Sequence, residues 1–115
     1  MDGNGAAGLG GPVNATNGTY YRTLLRRTAG LSASQRLIVL MYAMMPTDRA
    51  GAVRMTGQEL AAEVDMTPTV FSRMRRQLVE AGWLEQSDRF SNIVYYRLTP
   101  RATGEENVVP MRRAL

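Results

Sequence analysis

The chain of 115 residues contains no cysteine, no histidine and no lysine. Without Cys and His, zinc fingers, iron–sulfur clusters, disulfide frameworks and histidine-based acid–base catalysis are excluded, so neither a metal nor a cofactor is expected. Long apolar runs are also missing. The longest, Leu37 to Pro46, falls far short of the roughly 20 residues that span a bilayer. Residues 1–19 are rich in Gly and Asn and have neither a basic start nor an apolar stretch, so no secretory leader is expected and a cytoplasmic protein is the expectation. Ser, Thr, Asp and Glu form no arrangement of nucleophile and base, and the chain is not expected to be an enzyme.

What is present is arginine. All 14 basic residues are Arg, and against 10 acidic ones they leave a net charge of +4. A GC-rich genome would favour arginine codons and can account for the missing lysines, but the excess charge points to an anionic partner, most simply nucleic acid. The excess is uneven. Residues 1–30 carry +2, residues 31–65 carry −1, residues 66–101 carry +3 and the remainder is balanced.

A hydrophobic content of 44% suits one small core. Residues 1–19 hold little that could repay the entropy of ordering and read as a disordered tail. Tyr21, Leu24 and Leu25 follow at helical spacing and predict a short helix ending near Gly30. With Tyr20 they form an apolar stripe that fits either the core of its own chain or a second subunit. Ser32 or Ser34 caps a helix bearing Leu37, Ile38, Leu40, Met41, Met44 and Met45, which Pro46 stops. Residues 52–55 read as a brief strand. Thr56 and Glu59 fit a capping box for a helix of about residues 57–64. Thr67 caps the next helix, Pro68 takes its first position, and Gly82 ends it after Ala81. Residues 83–86 and Ile93–Leu98 read as the strands of a hairpin around a polar turn at residues 87–92. Residues 102–115 read as a flexible tail. Met41, Met44, Met55, Met66 and Met74 read as packing filler.

Helix, tight turn, helix and hairpin follow one another between Met55 and Leu98. The residues MTGQELAAEVDMTPTVFSRMRRQLVEAGWLE, followed by the hairpin and YYRLTPRATG, resemble the winged helix-turn-helix family of bacterial DNA-binding proteins. The Leu98-Thr99-Pro100 ending is similar to that of MarR-type regulators, and the preceding helix to RepL-type plasmid replication proteins. Asp65 stands where many members carry Gly in the turn. The resemblance implies a mainly α fold with a small β-hairpin, a three-helix core plus wing, over residues 20–101. It also implies double-stranded DNA as partner, a homodimer, and a cytoplasmic protein that associates with the nucleoid when bound.

With Phe71 placed at zero and about 100° per residue, Val70, Met74, Leu78 and Ala81 fall on the inward side of helix 67–81. Thr69, Ser72, Arg73 and Arg76 fall opposite, a face of hydroxyls and guanidiniums suited to the major groove. Thr67 stands at the helix start, where free N–H groups can meet a phosphate, unless its side chain is used for capping. Arg75 points to the core flank, towards phosphate or along its own stem. Arg76 and Glu80 have the spacing of an ion pair. Arg89 at the wing and Arg97 on the returning strand are candidates for backbone or minor groove. Trp83, Tyr95 and Tyr96 fit core cover better than base stacking. The expected DNA-binding set is therefore Thr67, Thr69, Ser72, Arg73, Arg75, Arg76, Arg89 and Arg97. A transcription regulator is the leading reading. An origin-binding replication protein and a winged-helix module for an acidic protein partner are the alternatives.

Overall fold

A computed structural model describes residues 15–104. The order is α1 (Ala15–Arg27), α2 (Ala33–Met44), α3 (Gly57–Glu63), α4 (Pro68–Glu80), β1 (Leu84–Phe90), β2 (Ile93–Leu98) and a short α5 (Pro100–Thr103). The chain is thus mostly helical with one two-stranded antiparallel sheet. Expectations for residues 1–14 and 105–115, including most of both tails, lie outside the described residues.

α1 begins at Ala15, ahead of the expected start at Tyr20. Leu24 is fully buried in its own chain, while its neighbour Leu25 is exposed, so the stripe divides between core and surface. Thr28 closes α1 by donating its hydroxyl to the Leu24 carbonyl at 3.0 Å. Ser32 caps α2, and Gln35 reciprocates in a capping box. Ile38, Val39, Met41 and Tyr42 then form the centre of the core, meeting Leu24, Leu60, Phe71, Leu78, Trp83 and Leu84. Met44 departs from its expected packing role and stands 65% exposed. It shares an outward side of α2 with exposed Leu37, seven residues earlier, while Met45 packs against the core.

The expected strand at residues 52–55 reduces to two isolated bridges at Val53, one to Thr47 and one to Tyr96. The cause is local. The Asp48 carboxylate accepts the N–H groups of both Ala50 and Ala52 at 2.9 Å, so those donors are turned towards the loop. The Val53 N–H still reaches the Tyr96 carbonyl at 3.0 Å and ties the loop to β2.

The hairpin is longer than its sequence suggests. β1 continues through Ser87, Asp88 and Arg89 to Phe90, with a bulge between Gln86 and Asp88. Of the run at 87–92, residues 87–90 belong to the strand, largely on its exposed part. The turn itself is Ser91–Asn92, and Ser91 takes φ 60°, as a tight two-residue hairpin loop requires at its first position.

Candidate functional site

The site begins at Thr56, which caps α3 by accepting from the Glu59 N–H at 3.1 Å, while the Glu59 carboxylate accepts from the Thr56 N–H at 2.8 Å. α3 is short and buries Leu60 and Ala61. The chain then reverses at Asp65, whose φ is 56°. Asp tolerates this left-handed region better than most residues, so the turn closes without Gly. The Met66 N–H returns to the Ala61 carbonyl at 2.9 Å, and Thr67 caps α4 by accepting from the Val70 N–H at 3.2 Å. α3 and α4 are thereby packed as a pair across a four-residue turn.

α4 buries Phe71 and Leu78 and half-buries Val70, Met74 and Val79. Ala81 is exposed, contrary to the inward position expected from periodicity. The helix has already ended there: Ala81 is its C-cap and Gly82 turns the chain at φ 88°. The Gly82 N–H bonds the Val79 carbonyl at 3.1 Å and the Trp83 N–H bonds the Leu78 carbonyl at 2.9 Å, a Schellman ending.

The opposite face of α4 is open. Thr69, Ser72, Arg73 and Arg76 are exposed and, with Pro68, line a shallow depression of about 420 Å³. Among the described residues neither Arg73 nor Arg76 makes an ion pair or hydrogen bond, and the suggested Arg76–Glu80 pair is not formed.

Three of the expected contact residues are turned to structural tasks. Thr67 uses its hydroxyl oxygen as the α4 cap. The Arg75 guanidinium lies 4.3 Å from the Tyr96 ring centre and 5.2 Å from that of Phe71, and donates to the Tyr42 hydroxyl at 3.4 Å. It therefore lies on the flank of α4, away from the open face. Burial pushes the Tyr42 phenol up from its ordinary pKa, and the Arg75 hydrogen bond opposes that rise only in part. Arg97 donates to the Glu85 carboxylate at 2.8 Å and to the Ala50 carbonyl at 2.9 Å, so it braces the hairpin against the loop.

Arg89 is exposed, with no side-chain partner among the described residues. It pairs with Val94, which lies two residues from Tyr96 on β2. Side chains alternate along a strand, so Arg89 shares the sheet face that Tyr96 turns towards Arg75 and α4. The other face carries Arg54, which the sequence reading did not single out. Its guanidinium lies 4.0 Å from the Tyr95 ring centre and pairs with Asp88 at 3.0 Å. The Asp88 carboxyl is held below its ordinary pKa, first by the Arg89 N–H and then by Arg54. No spacing rule joins residues 34 positions apart, so only the folded hairpin reveals this contact.

Trp83 is buried under the Arg101 guanidinium, and Tyr95 and Tyr96 are half-buried, so none offers a free stacking platform. Another concavity, about 500 Å³, lies between α1, α2 and the hairpin root, lined by Tyr20, Tyr42, Met45, Glu85, Arg97 and others. Arg97, Glu85 and Tyr42 are already bonded to protein groups there, so the open face of α4 is the better candidate. Among the described residues no group of three or more Cys, His, Asp or Glu could hold a metal, and no helix is long and apolar enough to cross a membrane. Comparison with protein-family models, with curated proteins and with solved structures finds no match to this chain.

Proposed function

We propose that the protein is a winged helix-turn-helix, sequence-specific binder of double-stranded DNA, with α4 in the major groove and the hairpin as wing against backbone or minor groove. One observation carries this reading: the outward face of α4 presents Thr69, Ser72, Arg73 and Arg76 together, and both guanidiniums lack an ion-pair partner among the described residues. An Arg fork can bond both acceptors on a guanine edge, and each such pair discriminates by about 1–3 kcal/mol. The order of a tight helix pair followed by a hairpin, with Arg89 on the hairpin face nearest α4, supports the same reading.

The proposed reading set is Thr69, Ser72, Arg73 and Arg76, with Arg89 on the wing. Transcription regulation is the proposed role, and binding at a replication origin would use the same surface. A homodimer on DNA would set two copies of α4 about 34 Å apart. Exposed Leu25 on α1 and exposed Leu37 and Met44 on α2 supply apolar surface for such a contact.

The test is selection from a random duplex library, followed by Arg73→Ala and Arg76→Ala in the full chain. The selected site should lose preference at particular base pairs in each variant, with the melting temperature unchanged. Equal affinity of the double variant and wild type for the selected site would overturn α4 as the reading element.

A further inference from the structure

A second hollow lies on the flank of α4, between that helix and β2. It measures about 270 Å³ and is lined by Ser72, Arg75, Arg76, Val79 and Tyr96. Ser72 and Arg76 also border the open face, so the two depressions adjoin along one ridge.

The charge in this hollow is unbalanced. Arg75 is held in place by the Tyr96 and Phe71 rings and by the Tyr42 hydroxyl. Aromatic faces attract a cation and fix its orientation, but they do not neutralise it. Among the described residues, neither Arg75 nor Arg76 is paired with a carboxylate. The Tyr42 contact occupies one N–H of a planar fork that carries several. Two guanidiniums and the Ser72 hydroxyl therefore border a concave space whose lining includes no acid. That donor set matches a tetrahedral oxyanion, which Arg recognises through paired N–H groups.

We infer that this hollow seats one backbone phosphodiester of the duplex, so that Arg75 sets the depth and roll of α4 in the groove while Arg73 meets the bases. The inference rests on the DNA-binding reading above. It gives Arg75 two tasks. The aromatic rings immobilise the guanidinium, and the immobilised guanidinium meets the phosphate without further ordering.

The test uses the full chain, with anisotropy of a labelled selected duplex and a labelled random duplex over a salt series. Arg75→Gln should weaken both duplexes by a similar factor and flatten the slope of log K against log salt by about 0.9, the value for one lost phosphate contact. Arg75→Lys, which keeps the charge, should retain most of the slope. Tyr42→Phe, which leaves both guanidiniums, should retain it too. Arg73→Ala should differ in kind, with a larger loss on the selected duplex than on the random one. An unchanged slope in an Arg75→Gln variant that is still folded at the temperature of the binding measurement would overturn the seat and leave the DNA-binding reading intact. Should Arg75→Gln fail to fold, titration of the wild-type chain with inorganic phosphate, followed at the Arg75 side-chain N–H resonance, decides: a saturable shift keeps the seat and no shift overturns it. If the wild-type chain binds no duplex at any salt, the DNA-binding reading fails. Titration with inorganic phosphate, followed at the Arg75 side-chain N–H resonance, then decides the hollow separately. A saturable shift keeps it as a site for a free phosphate, and no shift overturns it.

Discussion

Arg75 on α4 and Tyr96 on β2 are joined by a cation–π contact of 4.3 Å, which couples the helix to the hairpin without a backbone hydrogen bond. The same guanidinium satisfies the buried Tyr42 hydroxyl. Arg75→Ala removes both contacts and leaves the phenol without this partner. A loss of about 2 kcal/mol is expected from the cation–π contact and the orphaned hydroxyl together. Urea unfolding should show it as a lower midpoint with an unchanged slope, and a midpoint equal to wild type would refute it.

Arg97 should behave differently from the residues on α4. Its pair with Glu85 is half exposed on both sides, so its contribution is expected to stay below about 1 kcal/mol. Arg97→Ala should lower stability slightly and, on the proposed DNA-binding reading, leave the selected sequence unaltered. A changed selected sequence in this variant would return Arg97 to the reading set.

The reversal at Asp65 should tolerate only certain residues. With φ at 56°, a β-branched side chain would be strained there. Asp65→Val is expected to cost about 1–2 kcal/mol, whereas Asp65→Gly should be neutral or stabilising. Paired thermal melts test this, and a Val variant as stable as wild type would contradict the assigned turn geometry.

Asp88 gives the hairpin a dependence on acid. Its carboxyl is held below the ordinary value of about 3.9 by the Arg89 N–H and by Arg54. A depressed folded pKa means that the unfolded chain takes up the proton first. The contribution is therefore complete above the unfolded pKa and is lost as pH falls through the folded one. Asp88→Asn should remove this part of the acid slope, read as the difference between the stability profiles of variant and wild type below about pH 4. Parallel profiles would show that the pair does not act on stability.

The parts of this molecule set by neighbouring residues were legible in the sequence. Thr56 with Glu59, Thr67 with Pro68, and Gly82 mark helix ends through contacts a few residues long, and all three occur as read. The polar stretch from Ser87 to Arg89 misled, because an exposed strand and a turn share the same composition, and only the pairing with Val94 and Tyr95 separates them. The strand at residues 52–55 was shortened by the Asp48 side chain, a competitor that alternation of apolar residues does not register. Among the candidate contacts, Arg73 and Arg76 kept the open positions that periodicity gave them. Arg75 and Arg97 were diverted by Tyr96, Tyr42, Glu85 and Ala50, all distant in sequence.

The end of α4 is completed by residues that come much later in the chain. Arg101 donates to the Ala81 carbonyl at 2.6 Å, the Thr99 hydroxyl donates to the Gly82 carbonyl at 2.6 Å, and the Thr99 N–H bonds the Trp83 carbonyl at 3.1 Å. A nascent chain that has emerged only as far as the hairpin turn therefore carries an α4 whose exit is still unfinished. Helix, hairpin and the segment after it form a single closure, and proteolysis just after Leu98 should leave the Ala81 and Gly82 carbonyls without these donors and loosen the exit of α4.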